Sequence, residues 1–205
     1  MITGALVTVD DYLRLTEKPS HEYRDGLLYP KAMPTKLHSI IQRVLVTLLQ
    51  SASGNKSGAQ PFPELTLRIS PTKYLIPDVA VADNFPGPYP EEPVRICCEI
   101  LSPEDRLGTM LAKCEEYHTW GVPFCWVIDP VKRAAWEYPS GGEPVRATGS
   151  LHAGDIAIGL AGCGKKADSD VTPEQTASSM FYARRRPTTK WSVQLYLGGA
   201  AGPAE

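Results

Sequence analysis

Apolar residues recur at Leu37, Ile40, Ile41, Val44, Leu45, Leu48 and Leu49. That three-to-four-residue spacing predicts an amphipathic helix, closed by Gly54-Asn55. The period then changes. In "ELTLRIS" Leu65, Leu67 and Ile69 alternate with Glu64, Thr66 and Arg68, the signature of a half-buried strand. "LIPDVAVAD" predicts a second strand. "VRICCEILS" predicts a third, whose denser apolar run suits the middle of a sheet. "FCWVIDP" and "AAWEYPS" predict two more, with Gly141-Gly142 turning the chain.

Local signals supply the other elements. Thr8-Val9-Asp10-Asp11 has the form of a capping box and predicts a short helix to about Glu17, stopped by Pro19. "HEYRDGLLYP" predicts a hairpin turning at Asp25-Gly26. Ser102-Pro103-Glu104-Asp105 predicts a helix start, with Ser as N-cap and acids near the positive end of the dipole. That helix is expected to reach Trp120, where Gly121 and Pro123 break it. The order is helix, hairpin, helix, three strands, helix, two strands. It predicts an α/β fold with a mixed central β-sheet flanked by helices. From about Gly162 the periodicity fades into small, polar and Pro residues. Residues 162–205 are expected to form a poorly ordered tail, with one short strand at Trp191 to Leu197.

Composition narrows the function. With 205 residues, 42% hydrophobic and 21% charged, the chain suits one globular domain. A formal net charge of -2 excludes a global basic field for nucleic acid, so any phosphate contact has to be local or metal-assisted. No apolar run approaches a membrane span, and Met1 to Asp10 lacks the form of a signal peptide. The five cysteines (Cys97, Cys98, Cys114, Cys125 and Cys163) match no zinc or redox spacing. Cys97, Cys98 and Cys125 read as small buried hydrophobes, and the expected location is a reducing cytoplasm.

The chemistry lies in acids placed where burial makes them costly. Asp78 follows Pro77, which cannot donate to a ladder and is expected to mark a bulge or edge that re-aims the next side chain. Glu99 sits in the next strand, and paired strands lie roughly 4.8 Å apart. The two carboxylates are therefore expected to converge on one hard cation, Mg²⁺ or Mn²⁺. Lys113 lies on the following helix, and a face packed on the sheet would bring it to both acids. Asp, Glu and Lys around one divalent ion form a complete set for phosphodiester hydrolysis. Plainer readings stand beside these. Asp78 is also a turn former, Glu99 an edge acid, Lys113 a solvated helix lysine, and Glu22 a partner for Arg24 or Lys31. His38 suits a cap or surface role better than a water- or phosphate-binding one. Tyr117 and Trp120 suit the core, and Arg184-Arg185-Arg186 reads as a solvated run.

"HEYRDGLLYP", "IPDVAVAD", "EILSPEDR", "LAKCEEYHTWGVPFCWVIDP" and "LHAGDIAIGL", in that order, resemble the Uma2 endonuclease family of the PD-(D/E)xK restriction-endonuclease-like superfamily. The resemblance covers roughly Val7 to Leu160, giving a domain of residues 1–161. It implies a restriction-endonuclease-like α/β fold, a DNA substrate and Mg²⁺-dependent cleavage, and it admits a homodimer. It implies that Asp78 is the "PD" acid, Glu99 the "(D/E)" and Glu22 an early acid of the metal site. Leu101 stands where the superfamily has lysine, and the resemblance implies that Lys113, on the following helix, takes that place. After "GDIAIGL" the family ends on another short strand. The tail here does not match, as a genuine extension or as an altered reading frame. The alternative function is a catalytically inactive nucleic-acid-binding or interaction module that retains the fold.

Overall fold

The computed structural model describes residues 6–16, 19–53 and 58–160, and the backbone of residues 181–183. The helix end at Gly54-Asn55, the tail other than residues 181–183, the strand at Trp191 to Leu197, Cys163 and the Arg184-Arg185-Arg186 run lie outside these residues.

A six-stranded sheet forms the centre. Its order is β10 (Val145–Arg146), β9 (Ala134–Pro139), β8 (Phe124–Asp129), β7 (Ile96–Ile100), β6 (Val79–Ala82), β3 (Gln60–Pro63). Only β7 and β8 are parallel, joined by helix α3 (Leu107–Trp120). A parallel pair needs such a crossover, whereas the antiparallel β8–β9 and β9–β10 pairs close through short links. Helix α2 (Lys36–Ser53) covers the other face. The period-two pattern distributes the core. Val79, Val81, Ile96, Cys98, Ile100, Trp126 and Ile128 pack with Ile41, Leu45 and Leu49 of α2. Ala80, Ala82, Cys97, Cys125 and Val127 pack with Cys114 and Tyr117 of α3. The expected mixed sheet between helices is therefore what forms. Cys97, Cys98, Cys114 and Cys125 are buried free thiols.

A four-stranded antiparallel sheet stands beside it, in the order β2 (Leu27–Pro30), β1 (His21–Arg24), β5 (Lys73–Leu75), β4 (Leu67–Ser70). The β1–β2 hairpin turns at Asp25 and Gly26, both at positive φ (49° and 89°), which matches the strand twist. Helix α1 (Val9–Leu13) seals this sheet with Tyr12 stacked on Tyr23. Thr8 caps α1 by accepting the Asp11 N–H at 3.1 Å, as its motif predicts, but the helix stops at Leu13 rather than near Glu17. A third antiparallel set joins β11 (Ser150–Ala153), β12 (Ile156–Leu160) and β13 (Phe181–Ala183). The β13 strand falls inside the stretch read as tail and pairs Leu160 with Phe181.

Several boundaries differ from the pattern-based expectation, each for a local reason. The alternation over 64–70 yields a strand only from Leu67, because Glu64 takes a left-handed φ of 48°. β3 carries Pro61 and Pro63, which mask it as a strand in sequence but suit a sheet edge. Helix α3 begins at Leu107, not Ser102, because Ser102 to Asp105 closes its own turn: the Asp105 carboxylate accepts the Ser102 N–H at 2.7 Å. Gly121 ends α3 in a left-handed conformation (φ 115°), as expected. A Cβ there would meet Pro93 Cγ at 2.9 Å. Gly121→Ala is therefore expected to cost about 1–3 kcal/mol in urea unfolding, from strain and crowding together. An unchanged midpoint would show that the helix end can relax.

Candidate active site

The segment Leu75 to Val79 lies where the small sheet hands over to the large one. Sequence periodicity reads it as one strand; in the structure it is two. β5 ends at Leu75 and β6 starts at Val79. Pro77 has no N–H, and both backbone groups of Ile76 are diverted to side chains. The Ile76 N–H donates to Glu22 Oε1 at 3.0 Å. The Ile76 carbonyl accepts from Lys31 Nζ at 2.9 Å and Lys113 Nζ at 3.3 Å. The break in the ladder is thus filled by charged side chains. Asp78 sits in this bend, not on the expected bulge.

The register of β6 on β7 pairs Val79 with Cys98, so Asp78 and Glu99 are neighbours across adjacent strands, as expected. Asp78 is 3% exposed, Glu99 3% and Glu22 7%. Such burial is tolerable only with full compensation. Asp78 Oδ1 accepts from Lys31 Nζ at 2.8 Å. Its Oδ2 accepts the Ile100 N–H at 2.7 Å and lies 3.2 Å from His38 Nε2. Its carbonyl accepts from Gln42 Nε2 and the Glu64 N–H. Glu99 Oε1 accepts from Tyr117 Oη at 2.7 Å and pairs with Lys113 Nζ at 2.8 Å. Lys113 also pairs with Glu22 Oε1 at 2.6 Å. Arg24 Nη2 lies 3.2 Å from Glu22 Oε2, and Arg24 and Lys73 both bind Glu116 at the rim.

Electrostatics separates the three acids. Burial pushes the Asp78 carboxyl up, but the Lys31 charge and the His38 hydrogen bond overcome it and hold it well below the usual carboxylate range. Burial likewise pushes Glu22 up, and Lys113 with the Ile76 N–H and Arg24 brings it below its ordinary value. Glu99 stays raised: burial dominates, Lys113 opposes it, and the Asp78 charge adds to the rise. Burial works against the charge on Lys113, yet Glu99 and Glu22 hold its ammonium strongly protonated.

The four residues singled out by sequence, Glu22, Asp78, Glu99 and Lys113, therefore meet at one place. Leu101 is a buried core residue and contributes no charge. Lys113, in the middle of α3 on its sheet-facing side, brings an ammonium there instead. Sequence reasoning missed Lys31, weighed only as a partner for Glu22, and underweighted His38, which is 7% exposed and faces Asp78. Its place on the buried side of α2, one turn before Ile41 and Gln42, was the available signal.

The oxygens of Asp78 and Glu99 are hard donors of the kind Mg²⁺ prefers. Each already faces a cation, an ammonium in both cases, so the surroundings favour positive charge there. Among the described residues no group of three or more His, Cys, Asp and Glu side chains forms a metal cage. Mg²⁺ needs no such cage, since one or two carboxylates with waters and phosphate suffice. The donor set therefore fits the ion.

This is a mixed α/β fold of the nuclease-like kind, with its charged groups collected at one break between two sheets. The chain belongs to the Uma2 family, described as "Putative restriction endonuclease", whose model matches residues 9–161. No functionally curated protein matches the chain. Among solved structures it is similar to "a putative nuclease belonging to DUF820 from Anabaena variabilis" at 22% identity and a TM-score of 0.63. That match covers 84% of this chain and 98% of the other. A second likeness, to the DrdV-DNA complex, has 21% identity and a TM-score of 0.35, covering 52% of this chain and 9% of that one. Among the described residues no helix is long and apolar enough to cross a membrane.

Proposed function

We propose that the protein is a Mg²⁺-dependent endonuclease that hydrolyses DNA phosphodiester bonds. The observation that carries this reading is the gathering of Asp78, Glu99, Glu22, Lys113 and Lys31 around the Ile76 peptide, in a member of a restriction-endonuclease family. Mg²⁺, or Mn²⁺ in its place, is held by Asp78 and Glu99. When bound it supplies Lewis acidity at the phosphodiester.

The chain's own groups do the rest. The Ile100 N–H holds Asp78 Oδ2 from the backbone of the adjacent strand, so the carboxylate is aimed before any ligand arrives. Tyr117 Oη does the same for Glu99 Oε1. Lys113 carries a permanent charge beside the reacting centre, where negative charge builds up on phosphate. Glu22 fixes that ammonium through a 2.6 Å pair, and Arg24 anchors Glu22 in turn. With a formal net charge of -2, no general basic surface draws in DNA. The local lysines and the metal provide the attraction for phosphate.

The test is conversion of supercoiled plasmid to nicked or linear forms by the purified protein. Cleavage is expected with Mg²⁺ or Mn²⁺ and is expected to vanish in EDTA. Cleavage that persists in EDTA would rule out the metal reading. Metal-independent DNA binding with no cleavage would identify the silent binding module instead.

A further inference from the structure

Asp78 has two differently held oxygens. Oδ2 is fixed by the Ile100 N–H and by His38 Nε2, both on core elements. Among the described residues Oδ1 is held by a single hydrogen-bond partner, Lys31 Nζ at 2.8 Å. Lys31 directly follows β2, in a stretch without helix or strand that runs to Thr35. Among the described residues its ammonium makes one other hydrogen bond, to the Ile76 carbonyl at 2.9 Å. Lys113 is tied differently. It projects from the middle of α3, touches Glu22, Glu99 and the Ile76 carbonyl, and lies 5.8 Å from the Tyr117 ring centroid.

We infer that Lys31 is a resident substitute for the divalent ion: its ammonium occupies the Asp78 oxygen that the metal uses, and metal entry displaces it. The inference rests on the proposed metal site at Asp78. An unpaired buried carboxylate is costly, so a protein that must exist without metal needs a cation at that oxygen. A flexible four-carbon stem carrying a compact point charge can both fill the position and leave it. Displacement costs little at Asp78 itself, because Oδ2 keeps its backbone donor throughout. Lys113, held by two carboxylates, stays. Metal affinity is accordingly set low by competition with a tethered ammonium, and metal entry releases a cation beside the site.

Two measurements made without DNA test this. The first is calorimetric titration of Mg²⁺ and Mn²⁺ into wild type, Lys31→Met and Asp78→Asn. Lys31→Met removes the charge and keeps most of the stem. It is expected to bind the ion at least about tenfold more tightly than wild type, and Asp78→Asn to lose the site. The second needs no variant at Lys31. Trace acylation of wild-type lysines, read by mass spectrometry, is expected to rise several-fold at Lys31 when Mg²⁺ is added, while Lys113 stays protected. The acylation result decides the matter if Lys31→Met fails to melt cooperatively. Asp78-dependent metal binding, with no gain in Lys31→Met and no change in Lys31 labelling, would overturn the substitution and leave the metal site standing. Absence of any Asp78-dependent binding in either protein would overturn both.

Discussion

Asp78→Asn is expected to lower plasmid cleavage by at least about a hundred- to a thousandfold, the scale of removing one preorganised electrostatic element from an active site. Glu99→Gln is expected to do the same. Both substitutions keep the side chain's shape and one carbonyl-type acceptor. Asn at 78 can still take the Ile100 N–H that Oδ2 takes now at 2.7 Å, and Gln at 99 can still accept from Tyr117 Oη. What each removes is a formal negative charge directed at a cation. A loss of cleavage with a retained cooperative melt therefore reports chemistry and not collapse. The two substitutions should not multiply. If both carboxylates serve one ion, either change alone removes most of the activity, and the double variant adds little. Undiminished cleavage by both single variants would remove Asp78 and Glu99 from the reaction.

Much of this arrangement was legible in the sequence, and the reasons are specific. Glu99 stood out because the run "ICCEIL" around it is otherwise apolar, and a charge in a central strand has few structural excuses. The partnership of Glu99 with Lys113 followed from one helix repacking on the strand before it, a short-range inference. Lys31 was not legible in the same way. It lies in an irregular stretch between a hairpin and a helix, and its contact with Asp78 joins residues 47 positions apart. No periodicity constrains a lysine there. The fold divides similarly. The strands that read as compact apolar runs, such as β8, matched their pattern almost to the residue. The 73–82 region did not, because Ile76 spends both its backbone groups on side chains from elsewhere in the chain. Local pattern cannot report where a hydrogen bond is lent to a distant partner, and here that lending builds the site.

Lys113→Met is expected to destabilise the protein by about 3–5 kcal/mol near neutral pH, the usual cost of leaving buried charges without their partner. Lys113 is the shared counter-ion of Glu22 and Glu99, at 2.6 and 2.8 Å. Its removal leaves Glu99 with the Tyr117 hydroxyl but no ion-pair partner, and Glu22 with Arg24 and the Ile76 N–H. Total stabilities of domains this size are about 5–15 kcal/mol, so the variant stands near its limit. The pH dependence gives the cause. In wild type the folded state holds the Lys113 ammonium more tightly than the unfolded chain does. That contribution is complete below the ordinary lysine value of 10.5 and is lost only as the pH rises through the higher folded value. It is therefore constant across the neutral range. In Lys113→Met the acids must take protons to become neutral. Burial already raises Glu99, and the substitution removes the strongest influence opposing that rise. A carboxyl whose folded value lies above its unfolded one costs stability at high pH and recovers it as the pH falls. The gap between wild type and variant should accordingly narrow from pH 8 toward pH 5. Urea midpoints across that range measure it directly. A gap that is constant with pH would mean that Lys113 contributes by filling space, and that Glu22 and Glu99 are not the charges it neutralises.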